Sequence, residues 1–368
     1  MKKIKIYLYI FLFSLIFTIF LFELYAKYRT DLFPSYGWQK NNTIKDNIII
    51  CDNKKNIGVF GDSFVEYFGK DNNNLVRILD SKFRNYKVCN FGFSGDSIHN
   101  YIARFLYVLK SHVKLEKAIF YLYEGNDFYE FRYTNDLKNI ENLEIKGETI
   151  FNYSEQTYFD RNLSFTKNFI KSTFTLNLIY RELYKKYFTS NRVTKEFVQK
   201  IYTEDKYYEV KLDKAIERMN NTPKDVKKLL SADILNINFY SLALRNPNYF
   251  NEIYNPEEDK FEIQKIIASK YVKFINKTCI NNEIECKFII IPSDQFLFEE
   301  AKNKYQNLFR FNFQKEYGKS KISNFLLTNF DNIYYPESLF IYEDFINNDM
   351  HLNANGNKKL ATFTYEKF

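Results

Sequence analysis

The sequence predicts an α/β domain built on a central parallel sheet with helices over both faces. Three observations predict it. Short apolar runs of buried-strand type recur at 57–60, 87–91, 117–123 and 286–291. Continuous rather than alternating hydrophobicity is what a strand buried on both faces requires. Segments with helical spacing lie between the early runs, at 74–84 and 98–111, and strand alternating with helix is the pattern of parallel pairing, which needs crossovers. Each of the first three strand runs leads into Gly or Asn, so the chain can turn sharply at the sheet edge where open α/β sheets hold ligands.

Taken in order, residues 6–22 (IYLYIFLFSLIFTIFLF) carry no charge over 17 positions. With Leu24, Tyr25 and Ala26 beyond Glu23, the run approaches the roughly 20 residues that span a bilayer. Lys2, Lys3 and Lys5 precede it, so the positive-inside tendency keeps the N-terminus cytoplasmic and sends the rest of the chain outward. Leu24, Tyr25 and Ala26 before Lys27 form a poor cleavage site, and residues 1–26 are therefore read as an uncleaved transmembrane anchor rather than a removed signal. Residues 27–46, polar and containing Pro34 and Gly37, suit a stalk, and 47–130 hold the first half of the α/β domain. Over 131–257 the rhythm breaks into charged and aromatic amphipathic segments such as 174–188 (FTLNLIYRELYKKYF), the pattern of a mostly helical insertion. The alternation resumes over 258–368, with a helix through 261–277, a strand ending at Ile291 and Pro292, and a last helix after Gly356.

Composition sets further bounds. A hydrophobic share of 45% against 27% charged residues belongs to a folded globular chain rather than a disordered one. The 31 Tyr and 39 Phe accompany abundant Lys, Asn and Ile, the residues AT-rich codons supply, so they are read as genome composition rather than an aromatic binding surface. The net charge of +8 comes from Lys and Arg scattered among Asp and Glu, and no nucleic-acid partner is read from it. Among four cysteines, Cys279 and Cys286 are close enough for a local disulfide, with Cys51 and Cys89 as the other pair. Four unpaired thiols are the alternative, and neither spacing resembles a metal knuckle. Three isolated histidines give no metal-ligand set and no glycine-rich phosphate loop occurs, so neither a metal nor another cofactor is expected.

Chemistry-bearing residues gather at the strand ends. The first strand leads into Gly61, Asp62 and Ser63, the second into the stretch from Asn90 to Ser97, and the third into Glu124, Gly125, Asn126 and Asp127. Near the C-terminus stand Asn348, Asp349, Met350, His351, Leu352 and Asn353, with Gly356 beyond. Asp62, Asp96 and Asp127 read as turn or cap residues, and His99 and His112 as surface or packed histidines. Ser94 is a rival nucleophile that lacks a G-x-S-x-G elbow.

These four segments, in this order, resemble the blocks of the SGNH hydrolase family, also called GDSL-type esterases, over about 57–130 and 286–368. The resemblance implies a three-layer α/β/α fold of flavodoxin-like order, with Ser63 as nucleophile and His351 as general base. It also implies an oxyanion hole made by the backbone amides of Ser63 and Gly95 and the side-chain amide of Asn126. The residue types suit that chemistry, because a serine hydroxyl needs an imidazole to take its proton and the developing oxyanion needs fixed donors. One position departs from the family, which usually has its acid three residues before the histidine, where this chain has Asn348. Asp349, two residues before, has the spacing of some acetyl-transferring relatives and is the candidate for orienting His351. Asn348 is the alternative, and a dyad with a backbone carbonyl fixing the imidazole is a third arrangement.

The resulting expectation is a membrane-anchored bacterial ester hydrolase or O-acyltransferase, with its domain outside the cytoplasmic membrane. It would act through an acyl-serine on acylated cell-envelope glycan or another ester, with acetyl the acyl group by family habit. An inactive glycan-binding or assembly scaffold, and a lipase working at the membrane, are the competing readings.

Overall fold

The computed structural model describes residues 51, 55–66, 74–93, 96–111, 113–128, 221–231, 249–309, 318–347 and 349–368, with isolated positions at 7, 14, 17, 18, 21, 217 and 220. The chain divides into two compact units, Met1–Thr43 with Tyr158–Asn191, and Ile44–Thr157 with Arg192–Phe368. In the first, Tyr7, Ser14, Phe17, Thr18 and Leu21 are helical. Most of the apolar run at 6–22, the stalk and the segment 174–188 lie outside the described residues. Among the described residues no helix is long and apolar enough to cross a membrane.

The second unit is built on five parallel strands. These are β1 (Asn56–Phe60), β2 (Lys87–Asn90), β3 (Leu115–Tyr123), β4 (Glu285–Ile291) and β5 (Ile333–Tyr334), in the order β2-β1-β3-β4-β5. All four pairings are parallel. The order reverses between β1 and β3, and it is beyond the carboxyl ends at such a reversal that open α/β sheets carry ligands. The helices are α1 (Ser63–Glu66), α2 (Leu75–Lys82), α3 (Ile98–Lys110), α4 (Lys224–Ser231), α5 (Tyr249–Tyr254) and α6 (Glu258–Asn281). After β4 follow α7 (Asp294–Leu297), α8 (Glu299–Phe309), α9 (Lys321–Asn329) and α10 (Ala354–Glu366).

Successive strand residues face opposite sides of a sheet, and both sides are apolar here. On one side Ile57, Val59, Ile119, Tyr121, Ile289 and Ile291 share a core with Leu75 and Leu79 of α2 and Leu360 and Ala361 of α10. On the other, the Phe120 ring stacks between Phe60 at 4.9 Å and Phe288 at 5.2 Å. Phe105 of α3 meets Phe60 and Phe120 edge-on at 5.4 and 5.3 Å. Each such buried aromatic contributes about 1.5–3 kcal/mol from burial alone. Helix α6 adds Ile267, Ala268, Tyr271, Val272 and Ile275 to the interior. Side-chain caps start three helices: Asn74 accepts from the Arg77 amide, Ser320 from Ser323, and Asn353 from Asn355 and Gly356. The last helix therefore begins at Ala354, two residues ahead of the glycine that the sequence suggested as its opening.

Both cysteine pairings form. Cys51 joins Cys89 of β2, and Cys279 of α6 joins Cys286 of β4, leaving no free cysteine. The first ties the chain just ahead of β1 to the edge strand, and the second closes the turn between the long helix and a central strand.

Candidate active site

Ser63 opens α1 immediately beyond β1, and its position is set by the turn beneath it. Asp62 Oδ1 accepts from the Phe64 amide at 3.0 Å, and the Asp62 carbonyl accepts from Val65 and Glu66. The end of β2 clamps this short helix from the side. Asn90 Nδ2 donates to the carbonyls of Val65 and Glu66 at 2.9 and 3.0 Å, while its Oδ1 accepts from the Gly92 amide. A Cβ on Gly92 would lie 2.7 Å from the Glu66 nitrogen and 2.5 Å from Val65, so only glycine permits the approach.

The histidine reaches the site from the far end of the chain. After β5 the backbone makes a short 3-10 turn at Tyr342–Asp344, then a tight loop closed by an antiparallel bridge between Phe345 and Leu352. Within it the Ile346 amide donates to the His351 carbonyl at 2.8 Å, and the Asp349 amide to Ile346 at 3.0 Å. Asp344, fully buried, anchors the loop: its carboxylate accepts from the Ile341 amide at 2.9 Å, from Lys359 at 2.6 Å and from Asn355.

His351 Nε2 lies 2.7 Å from Ser63 Oγ, across 288 residues of sequence. Its Nδ1 is hydrogen-bonded to Asp349 Oδ1, which also accepts from the His351 backbone amide at 3.1 Å. An ionised carboxylate can only accept, so the ring proton resides on Nδ1 and Nε2 is left to accept from the serine hydroxyl. The Phe64 ring packs on the imidazole at 4.6 Å and on Tyr123 at 4.4 Å, which restricts the imidazole's rotation.

Asn126 sits just past β3, with Nδ2 donating to Asp62 Oδ2 at 3.2 Å and Oδ1 buried without a hydrogen-bond partner among the described residues. Asp62 thus does more than hold its turn: it also fixes which way the Asn126 amide faces. Burial pushes the Asp62 carboxyl up, against the opposing pull of the Phe64 amide, the charge of His351 and the Asn126 side chain.

Among the sequence candidates, Ser63, His351, Asp349 and Asn126 come together. Gly95, Ser94, Asn348 and His112 lie outside the described residues. Among the described residues, the Phe93 amide donates to the Gly61 carbonyl at 3.0 Å, and Asp96 pairs with the buried Arg104 of α3. Asp127 serves as a cap, accepting from the Tyr123 amide at 2.7 Å and from the Tyr101 hydroxyl. His99 is packed, with Nδ1 3.3 Å from the Tyr271 hydroxyl, and burial pushes its imidazole down. Asn90, Asp344 and Asp294 were given no role from the sequence, and each bonds a side chain or backbone group on another element. Among the described residues no group of His, Cys, Asp or Glu could hold a metal ion.

The arrangement can transfer a proton from a serine hydroxyl to an imidazole braced by a carboxylate, beside a side-chain amide that can meet a developing oxyanion. Compared with models of known protein families the chain matches none, and no curated protein matches it.

Proposed function

We propose that the chain is a serine-dependent ester hydrolase or O-acyltransferase of the SGNH type. The observation that carries this reading is the unbroken hydrogen-bond chain from Ser63 through both ring nitrogens of His351 to Asp349. In the reaction, Ser63 Oγ attacks the ester carbonyl carbon as its proton passes to His351 Nε2. The tetrahedral oxyanion is met by Asn126 Nδ2 and the backbone amides of Ser63 and Gly95. Collapse breaks the bond to the alkoxide, which leaves with the proton from His351, and the acyl group stays on Ser63. An acceptor hydroxyl, from water or a sugar, then gives its proton to His351 and attacks the acyl carbon, and the proton returns to Ser63.

The strand order β2-β1-β3-β4-β5 supports a three-layer α/β/α domain of flavodoxin-like type for this chemistry. Helices α4 and α5 support the reading of 131–257 as a helical insertion. Two disulfides suit an oxidising compartment. Together with the apolar run at 6–22, they support a domain held outside a bacterial cytoplasmic membrane, where acylated envelope glycan is the substrate class within reach. The test is mass spectrometry of the full-length protein after treatment with a fluorophosphonate. One adduct on Ser63, lost in Ser63→Ala and His351→Ala variants that still fold, is the expected result. A folded wild type that takes up neither this probe nor a smaller sulfonyl fluoride would overturn the reading.

A further inference from the structure

Beyond the end of β4 stands a buried carboxyl group that the reaction above does not use. Asp294 opens α7 at the carboxyl end of β4 and is 1% exposed. Its Oδ2 accepts from the Tyr305 hydroxyl of α8 at 2.8 Å, and its Oδ1 from the Gln295 amide at 2.9 Å. The charged and titratable groups that face it come from every neighbouring element: Lys304 and Tyr305 from α8, Asp349 from the histidine loop, Tyr342 from the 3-10 turn, and Tyr123 from β3. The same cluster reaches the catalytic loop directly. Lys304 Nζ donates to Asn347 Oδ1, two residues before Asp349, and lies 3.4 Å from the Tyr342 hydroxyl. Tyr123, whose hydroxyl bonds Ser293 at 2.9 Å, presents its ring to Phe64 beneath the imidazole.

We propose that Asp294 is a second acid near the Ser63–His351–Asp349 chain, a positioning residue that acts through Asp349 and sets the field in which His351 accepts the serine proton. The proposal rests on the hydrolase or transferase reading of that site. Burial, joined by the nearby charge of Asp349, pushes the Asp294 carboxyl up to about 7, against the Tyr305 hydroxyl, the Gln295 amide and Lys304. Its charge therefore changes in the neutral range. Transfer of the serine proton makes an imidazolium, which a second nearby negative charge stabilises. The ionised form of Asp294 is thus the faster one, and the rate climbs as this group loses its proton.

The test is the second-order rate at which a fluorophosphonate labels Ser63 in the full-length protein, followed from pH 5 to 9. Wild type, Asp294→Asn and Tyr305→Phe are compared, with Ser63→Ala as the blank. Wild type should show two rising limbs, the upper of them centred near 7 and assigned to Asp294. Asp294→Asn should keep a single limb and reach a plateau roughly tenfold lower. Tyr305→Phe removes a donor that favours the ionised carboxyl, so the upper limb should move to higher pH and the plateau should be recovered there. A merely structural role would change the amount of labelled protein but not the shape of the profile. Wild-type and Asp294→Asn curves that superimpose after scaling would overturn the proposal, as would an upper limb unmoved in Tyr305→Phe. If Asp294→Asn fails to fold, the Tyr305→Phe profile alone decides. A wild type that takes no label defeats the underlying reading instead, and the two failures are thereby told apart.

Discussion

Exchanging Asp349 for Asn tests the brace on the imidazole while nearly preserving its shape. In the wild-type site Asp349 Oδ1 takes two hydrogen bonds, from the His351 backbone amide at 3.1 Å and from the ring Nδ1. An asparagine oxygen in that place keeps the tautomer but withdraws the negative charge facing the imidazolium. At hydrogen-bonded range and the effective dielectric of a partly exposed site, that charge is worth about 4 kcal/mol, a factor of about 10³ in rate. If the amide nitrogen turns toward the ring instead, Nδ1 must accept, the proton moves to Nε2, and Ser63 faces a donor that cannot take its proton. This adds roughly another decade, which brings the loss to about 10⁴, comparable with the same exchange in a serine protease triad. The assay is the hydrolysis rate of p-nitrophenyl acetate at pH 8, alongside fluorophosphonate labelling and a thermal melt. The loss should fall on kcat, with KM little altered and the melting temperature within a few degrees of wild type. A variant within tenfold of wild type, while Ser63→Ala and His351→Ala fall to background, would refute Asp349 as the orienting group and leave a serine–histidine dyad.

Asn126→Ala should slow ester hydrolysis by about 3 kcal/mol in the barrier, some hundredfold or more, with kcat rather than KM carrying the change. Gly92→Ala should lower the urea midpoint by an amount corresponding to about 1–3 kcal/mol, because its Cβ meets backbone at 2.7 Å and cannot be relieved by a rotamer change. Reduction of Cys51–Cys89, which closes a 38-residue separation, should destabilise by about 4 kcal/mol, and loss of Cys279–Cys286, at 7 residues, by about 2 kcal/mol; melts with and without reductant, using Cys→Ser pairs, separate the two. Asp294 makes a prediction about stability as well as rate. Its carboxyl is raised in the folded chain from 3.8 to about 7, so the stability it allows is complete below about pH 4 and is lost as pH rises toward 7. Above pH 7 Asp294→Asn should therefore melt higher than wild type, by a margin on the order of 4 kcal/mol, while a difference from wild type that is the same at pH 5 and pH 8 would contradict it.

What could be read from the sequence follows from what each feature depends on. Strands β1, β3 and β4 carry continuous apolar runs, and burial on both sheet faces leaves that signature without help from the rest of the chain, whereas the edge strand β2 buries only Val88 and Cys89. The helices at 74–84 and 98–111 were legible from spacing and shorten only slightly, to Leu75–Lys82 and Ile98–Lys110. Strand β5, at two residues, is too short to carry a period. Within the site, Ser63 and Asn126 drew notice because they follow legible strands and match blocks of the family the chain resembles, and Asp349 because its spacing to His351 matches some acetyl-transferring relatives in that superfamily. Asn90, Asp344 and Asp294 did not. A buried Asn or Asp in a sequence looks like any turn residue, and what distinguishes these three is a partner set drawn from elsewhere: α1 for Asn90, α10 for Asp344, α8 for Asp294. Buried polar groups must find partners, but the sequence does not say which.

The sources of stability and of the proposed chemistry are spatially distinct in this domain, and that decides which variants are informative. The stacked Phe60, Phe120 and Phe288 lie within the sheet, whereas Ser63, Asn126 and Asp349 stand beyond its strands and are only partly buried. Removing a functional atom at those three positions opens no core cavity, so lost activity there reports chemistry. Asp344 is the opposite case. Truncating it would leave the half-buried Lys359 without its carboxylate and free the Ile341 and Asn355 donors at once, a change of about 1–3 kcal/mol. A dead Asp344 variant would accordingly say nothing about catalysis unless its fold were shown intact. Asp294 lies between the two: it is as buried as Asp344, yet its exchange for Asn is predicted to slow the reaction while raising the melting temperature above pH 7. A rate and a stability that move in opposite directions cannot both come from unfolding, and that pairing, if measured, would mark a buried acid kept for the proposed reaction rather than for the fold.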